Sequence, residues 1–322
     1  MFRGGFPYGS MSLTDVQRSI VPSASLRNSL ILLEATTSVW ERPDRLVRAL
    51  GAAWPFGPYG SNLLGTVAAS AARYPHVTAI ATAHHRVTYR RLWRGSNALA
   101  RGLRDGGIGS SDRIGILCRN SPMFVYALLG AAKLGTDIVL LNTAMGGAQL
   151  GDIVRGEELT AVLHDDDFAG VLPADEGVRL VGAAEMHTIM DSHSEAHLAP
   201  PSRESRLVIL TSGTTGRPKG AARSSSGSAV DSTVGILDAI PFRLRDTTVV
   251  AAPFFHTWGL TALMLGLGLS ATVLTEPEFD AAQTLSLISH HRARALVVVP
   301  TMLQRICSLP PAQLAHADTD SL

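Results

Sequence analysis

The residues best suited to bind a ligand lie in the stretch ILTSGTTGRPKG, which spans residues 209–220. This stretch combines backbone amides, hydroxyl groups and a lysine with glycines that permit close backbone approach. The preceding apolar run RLVIL predicts a strand, and open α/β sheets bind ligands where their parallel strands end. The pattern therefore predicts a phosphate-binding loop, although a turn that only connects a strand to a helix would also be rich in Gly, Ser and Thr. The candidate cofactor-binding residues are Thr211, Ser212, Gly213, Thr214, Thr215, Gly216 and Lys219.

The spacing around the lysine separates this stretch from the Walker A loop. A Walker A loop ends in Gly-Lys followed by Ser or Thr, whereas here Pro218 precedes Lys219 and Gly220 follows it. We therefore expect a different class of phosphate-binding loop.

From residue 62 onward, short apolar runs alternate with helical patterns. Thr88 and Ser121 stand at helix N-cap positions, Pro122 is a favourable first helical residue, and Gly106 is a helix stop. Because we find no tight hairpin signals between the strands, the alternation predicts parallel sheets with helical crossovers, which is the α/β class. Strands are predicted over RIGIL, TDIVLL, AVLH, RLVIL, TTVVAA, ATVLT and ALVVV.

The same pattern suggests how the chain divides into units. Residues 1–60 contain scattered prolines and glycines, so we interpret them as an irregular N-terminal extension. Residues 61–200 are predicted to form a first α/β subdomain with a linker, APPSRES, near its end. Residues 201–322 are predicted to form a second α/β subdomain that carries the phosphate loop.

Composition limits the class of protein and its partners. The 322 residues are 46% hydrophobic and 17% charged, which predicts a globular protein, and a net charge of +1 gives no reason to expect a nucleic-acid partner. The two cysteines, Cys118 and Cys307, show no CxxC spacing, so we expect a reducing compartment and a cytoplasmic location, with peripheral membrane association left open. Residues 247–275 contain no charged residue, but Pro253 and His256 interrupt them, so we expect no transmembrane segment.

The stretch TSGTTGRPKG, residues 211–220, resembles the phosphate-binding signature of the adenylate-forming, or AMP-binding, superfamily. VTYRRLWRGSNALARGL, RIGILCRNSP and KLGTDIVLLNTAMGGAQL are similar to earlier elements of the same family, so the resemblance covers about residue 62 to the end. The sequence APFFHTWG, residues 252–259, is similar to the segment that lines the carboxylate and acyl pocket in fatty-acid–CoA ligases. The resemblance implies the two α/β subdomains of the large N-terminal domain of these enzymes, in truncated form.

The resemblance also implies a reaction and a set of site residues. A fatty acid attacks the α-phosphate of Mg-ATP to give an acyl-adenylate, and coenzyme A then displaces AMP. His256 is the implied catalytic residue near the substrate carboxylate, although a histidine in an apolar run is by itself more typical of a hydrogen-bonded core residue. The implied substrate-binding residues are Phe255, His256, Thr257, Trp258 and Gly259.

Several family features are not found after the strand at ALVVV. These are the adenine-binding stretch, the Tyr-Gly-x-Thr-Glu motif whose Glu serves Mg-ATP, the ribose-binding Asp, and the small C-terminal domain with its lysine. We therefore assign no metal ligand and expect the chain to be inactive by itself. Two alternatives stay open: a non-catalytic relic or nucleotide- or acyl-binding fragment that pairs with a complementary C-terminal polypeptide, and an adenylating enzyme that uses a carrier-protein thiol.

Three further patterns are interpreted as structural. GLGLSA, residues 266–271, matches GxGxxA, but a helical run precedes it and a strand follows it, the reverse of a dinucleotide fingerprint. His193 and His197 occur as HxExH rather than HExxH, which favours a solvated surface over a zinc site. The run from Asp165 to Asp167 follows a predicted strand, and a strand-end loop is favoured over a cation site.

Overall fold

The computed structural model describes residue 59 and residues 62–173, 177–211, 219–223, 240 and 242–322. Its helices are α1 Leu63–Arg73, α2 Tyr89–Asp105, α3 Pro122–Leu134, α4 Gly147–Gly156, α5 Ala183–Ser192, α6 Thr257–Gly268, α7 Ala281–His291, α8 Pro300–Cys307 and α9 Pro311–His316. Its strands are β1 Thr78–Ala81, β2 Arg86–Thr88, β3 Arg113–Leu117, β4 Asp137–Leu140, β5 Ala161–His164, β6 Arg179–Gly182, β7 Leu207–Thr211, β8 Lys219–Arg223, β9 Thr247–Val250, β10 Thr272–Leu274 and β11 Ala295–Val297.

The described strands form two sheets. Sheet I has the order β6-β5-β3-β4-β7-β8, and sheet II has the order β11-β9-β10-β1-β2. Neighbouring strands run parallel except in two pairs, β7 with β8 and β1 with β2. The fold is therefore α/β with two largely parallel sheets, as the alternating pattern predicted.

The local signals for helix boundaries are confirmed. The Thr88 hydroxyl accepts a hydrogen bond from the Arg91 amide at 3.3 Å, and the Ser121 hydroxyl accepts from the Phe124 amide at 3.2 Å. Gly106 is the C-cap residue of α2, and Pro122 is the first residue of α3. Each of these interactions spans a few residues, so a short sequence window contains the information that determines it.

The two sheets do not divide the chain at the predicted boundary near residue 200. β1, from the predicted first subdomain, pairs in parallel with β10 of the second, with Ile80 opposite Val273. β7, predicted to open the second subdomain, pairs with β4, with Leu140 opposite Ile209. Apolar periodicity identifies a buried strand but carries no information about which sheet the strand joins, because that choice depends on long-range packing.

Two antiparallel pairs were also not predicted. β1 and β2 are joined by a short turn in which the Thr82 amide donates to the His85 carbonyl at 2.8 Å and the His85 amide donates to the Thr82 hydroxyl at 3.1 Å. β8 returns along β7 after the glycine-rich stretch. Neither connection contains the Asn-Gly or Asp-Gly pair that signals a two-residue hairpin.

One core connects the two sheets. Ile116 of β3 and Val250 of β9 belong to the same cluster of buried side chains. The ring of Phe124 in α3 lies 5.3 Å from the ring of Phe254, which follows β9. The packing of α3 against the segment after β9 therefore fixes the sheets relative to each other where their strands end.

The apolar stretch 247–275 is broken into β9, α6 and β10. Across the part of the chain that the structure describes, we find no helix that is both long enough and apolar enough to cross a bilayer.

Candidate ligand site where the two sheets meet

The phosphate-loop candidate is anchored at both ends by sheet I. β7 runs parallel to β4 and ends at Thr211, so the stretch begins at the carboxyl end of a parallel strand, where ligands bind in α/β folds. Lys219 begins β8 and lies opposite Thr211 in the antiparallel register. Ser212, Gly213, Thr214, Thr215 and Gly216 lie outside the described residues. The backbone pairing brings the two ends of the stretch together.

The segment APFFHTWG continues from β9 at the corresponding end of sheet II. The amides of Ala251 and Ala252 both donate to the carbonyl of Val297, at 2.9 and 3.1 Å, which bonds the start of the segment to β11. The His256 amide then donates to the Pro253 carbonyl at 3.1 Å, closing a turn, and His256 is the N-cap residue of α6. The segment is therefore an ordered strand-to-helix connection.

Gly259 is required by the close approach of α6 to this connection. A Cβ atom at Gly259 would lie 2.6 Å from the carbonyl oxygen of Ala252 and still closer to that of Pro253. Real Cβ atoms essentially never come within 3.0 Å of another heavy atom, so a larger side chain would displace the first turn of the helix. This contact explains the glycine at the end of the APFFHTWG pattern.

The predicted substrate-binding residues divide between core and surface. Phe255 and Gly259 are buried, whereas His256, Thr257 and Trp258 are exposed, and 36% of the Trp258 surface is accessible. The His256 ring stacks at a tilt on Phe255, with ring centroids 4.5 Å apart. Partial desolvation there lowers the pKa of His256 below its ordinary value. The segment thus presents an imidazole that is neutral at neutral pH and has access to solvent.

Sequence reasoning did not identify Asn120, which joins the two sheets at this point. Asn120 follows β3 of sheet I, is 5% exposed, and forms hydrogen bonds with the segment after β9. Its position was a usable signal, because it is a polar residue just beyond the carboxyl end of a parallel strand, like the phosphate-loop candidate.

Arg119 makes a second connection between the sheets. Its guanidinium lies 2.8 Å from the Asp167 carboxylate, after β5, and 3.5 Å from the Glu278 carboxylate, after β10. Its backbone amide donates to the Asp165 carboxylate at 2.7 Å. Burial raises the pKa of Asp165, and the bond from the Arg119 amide opposes that rise. These aspartates therefore hold the arginine in place and join strand-end loops to one another.

The described residues contain no group of three or more His, Cys, Asp or Glu arranged to hold a metal ion. In the HxExH stretch, Glu195 forms an ion pair with Arg94 at 2.9 Å, and the His193 ring lies 3.7 Å from the Asp105 carboxylate. These side chains contact α2, so they contribute to helix packing.

Comparison with known proteins gives the family. The sequence model described as AMP-binding enzyme matches residues 67–322. Feruloyl-CoA synthase from Amycolatopsis sp is 31% identical over 251 residues, covering 77% of this chain and 50% of that protein. Long-chain-fatty-acid–CoA ligase FadD13 from Mycobacterium tuberculosis is 28% identical over 237 residues, covering 70% of this chain and 46% of that protein.

Solved structures agree with this match. The inhibitor-bound N-terminal domain of FACL13 from Mycobacterium tuberculosis aligns with a TM-score of 0.74 and 26% identity, covering 81% of this chain and 68% of that chain. The o-succinylbenzoate CoA synthetase of Bacillus subtilis, solved with its acyl-adenylate intermediate, aligns with a TM-score of 0.68 at 24% identity and covers 76% of this chain and 64% of that chain, which supports the fold alone.

The two largely parallel sheets define the chain as an α/β fold, with a Gly/Ser/Thr stretch after one strand and a histidine segment after another as candidate ligand-binding segments. The chain belongs to the family of AMP-binding, adenylate-forming enzymes. It spans about half the length of the curated relatives that it matches.

Proposed function

We propose that this chain supplies the phosphate-binding half of an acid–thiol ligase that activates a fatty acid with ATP and then transfers the acyl group to coenzyme A. The observation that carries the proposal is the position of the signature TSGTTGRPKG, which begins at the carboxyl end of β7 in a chain that belongs to the AMP-binding family. In the same chain, the segment with His256 follows β9 at the corresponding end of the other sheet.

The phosphate side of the proposed site rests on Thr211 to Lys219. Hydroxyl groups, backbone amides and an ammonium group are the donors that suit a polyphosphate, so the residues fit the β- and γ-phosphates of ATP. They would stabilise pyrophosphate as negative charge develops on the leaving group. Mg²⁺ is implied by the family, but the described residues offer no cluster of acidic ligands, and we assign it no residue here.

The acyl side of the proposed site rests on residues 255–259. α6 contains no charged residue along Thr257–Gly268, and Phe255 and Trp258 add aromatic surface, which favours an apolar acyl group. A neutral His256 can donate a hydrogen bond to an oxygen of the substrate carboxylate or of the adenylate. His256 is therefore the proposed catalytic residue.

Two relatives support variations of this proposal. Feruloyl-CoA synthase suggests an aromatic acid as the alternative substrate class. The fatty acid–[acyl-carrier-protein] ligase ScoC of Streptomyces coeruleorubidus, 28% identical and covering 79% of this chain and 51% of that protein, supports a carrier-protein thiol as the alternative acceptor. A nucleotide- or acyl-binding fragment that pairs with a complementary C-terminal polypeptide is the non-catalytic alternative.

The test is ATP–pyrophosphate exchange with a panel of fatty and aromatic acids. We expect no exchange by this chain alone, and exchange when the C-terminal half of a related ligase is supplied as a separate polypeptide. Lys219→Ala should then lower turnover about ten- to a thousandfold, the range for loss of one donor to developing charge. Arg206→Ala is the matched control, because it removes an exposed positive charge at the other end of β7.

Two outcomes would contradict the proposal. An unchanged rate in Lys219→Ala would mean that the phosphate loop is assigned to the wrong residues. Exchange by the isolated chain clearly above its own Lys219→Ala variant would refute the expectation that the complementary half is required.

A further inference from the structure

The carboxamide of Asn120 has a polar partner on each side. Its oxygen accepts a hydrogen bond from the Phe254 amide at 2.7 Å, and its nitrogen donates to the Ala252 carbonyl at 3.0 Å and to the Thr275 hydroxyl at 3.1 Å. Ala252 and Phe254 lie in the connection after β9, and Thr275 follows β10 of sheet II, whereas Asn120 follows β3 of sheet I. Asn120 is 5% exposed, so water cannot readily replace these bonds.

The direction of each hydrogen bond in this network is determined. The Thr275 hydroxyl donates to the Val250 carbonyl at 2.7 Å, so its oxygen is available only as an acceptor toward Asn120. The Asn120 nitrogen must therefore face Thr275 and Ala252, and its oxygen must face the Phe254 amide. An aspartate would place a carboxylate oxygen against the Ala252 carbonyl, which can only accept, and would compete with the Val250 carbonyl for the Thr275 hydroxyl proton, so the isosteric substitution does not preserve the network.

The connection that Asn120 binds leads directly into α6. Phe254 stands two residues before His256, the N-cap residue of α6. The Val297 carbonyl binds the amides of Ala251 and Ala252, while Asn120 binds the Ala252 carbonyl and the Phe254 amide. Without Asn120, the connection keeps its bonds to β11 but loses those to sheet I.

We infer that Asn120 is a positioning residue: its carboxamide holds residues 252–256 so that His256 faces the ligand at the junction of the two sheets. The ligand-facing part of this inference rests on the proposed function. The positioning itself rests only on hydrogen bonds between Asn120, the connection and Thr275.

Hydrogen exchange measured by mass spectrometry on the full chain tests the positioning without any ligand. In Asn120→Ala, the Phe254 amide loses its acceptor, so exchange of residues 253–257 should accelerate about three- to tenfold relative to wild type. Asn120→Asp should give the same or a larger increase. Ser70→Ala is the matched control, because Ser70 is 2% exposed and its hydroxyl donates at 2.9 Å to the Leu267 carbonyl, near the opposite end of α6.

The titration of His256, followed by NMR and assigned with His256→Gln, gives a readout that a general loss of stability would not change. The pKa of His256 should rise toward the ordinary histidine value in Asn120→Ala and Asn120→Asp, because a loosened connection exposes the ring to water. In Ser70→Ala it should equal the wild-type value. If Asn120→Ala does not fold, Thr275→Val, which removes one partner at similar volume, should still accelerate exchange in residues 253–257 by a smaller factor.

The inference is wrong if exchange in residues 253–257 and the His256 pKa are the same in the Asn120 variants as in Ser70→Ala. It is equally wrong if neither quantity changes in a folded Thr275→Val variant. Failure of the proposed function would be seen separately, as an absence of the Lys219→Ala effect on pyrophosphate exchange.

Discussion

The ammonium group of Lys133 lies 3.5 Å from the centroid of the Trp93 ring and donates a hydrogen bond to the Trp93 carbonyl at 2.8 Å. Its other two bonds, both 2.7 Å, go to the Ser96 hydroxyl and the Asn97 side-chain oxygen. Lys133 is 4% exposed, and burial, together with a smaller contribution from the positive charge of Arg101, lowers its pKa well below the ordinary value. This lysine connects α3 to α2 in the core.

We expect Lys133→Met to destabilise the protein by about 2–4 kcal/mol at neutral pH, because three buried acceptors lose their donor. Since the pKa of Lys133 is lowered in the folded state, the unfolded chain binds more protons between that pKa and 10.5. The unfolding free energy of wild type should therefore rise relative to that of Lys133→Met as pH increases toward 10.5. Urea unfolding of both proteins at several pH values measures this difference. A pH-independent difference would contradict the burial effect.

Gly259→Ala should destabilise the protein by about 2–4 kcal/mol, because the added Cβ overlaps the carbonyl oxygens of Ala252 and Pro253. Gly268→Ala, at the other end of α6, is the matched control: there the nearest atom to an added Cβ is 3.7 Å away, in ordinary contact. Replacing a helical glycine by alanine at that position should be neutral or slightly stabilising. Thermal unfolding of both variants tests the difference, and equal melting temperatures would mean that the close approach at Gly259 does not occur in solution.

The two cysteines should differ sharply in reactivity. Cys307 is exposed, whereas Cys118 is buried and its pKa is raised well above the ordinary value, first by desolvation and then by the charge of Asp165. Titration of the folded chain with a thiol reagent near neutral pH should therefore show one fast thiol and a second that reacts only on unfolding. Cys307→Ser should abolish the fast phase, while Cys118→Ser should leave it unchanged. Two fast thiols in wild type would show that β3 opens readily at its carboxyl end.

We expect the chain to self-associate through the edge of β11. Among the described strands, β11 pairs only with β9, and the adjacent helix α8 exposes 46% of Leu303. An unpaired strand edge beside apolar surface favours association between chains. We expect light scattering at micromolar concentration to show oligomers or aggregates, and Leu303→Lys to reduce them. A compact wild-type monomer that binds no dye specific for apolar surface would contradict this expectation.

A continuous apolar run such as ALVVV is typical of a strand that is buried on both faces. The strand covers only Ala295–Val297, and of these residues only Val297 is buried. Length and hydrophobicity identified the strand, but its position in the sheet determines how much of it is covered. A run of this kind is compatible with both a central strand and an edge strand.

Features that depend on neighbouring residues were accessible from the sequence alone. The caps at Thr88 and Ser121 and the α/β alternation follow from side chains acting within one or two turns, and the phosphate signature is contiguous. The sheet to which each strand belongs was decided only by the tertiary structure. β1 pairs with β10 through contacts between residues that are far apart in the sequence, such as the hydrogen bond from the Thr272 hydroxyl to the Thr78 carbonyl, which are 194 residues apart. Asn120 and Ala252 are separated by 132 residues. Their hydrogen bond depends on how the two sheets pack against each other, and the sequence around either residue does not predict that packing.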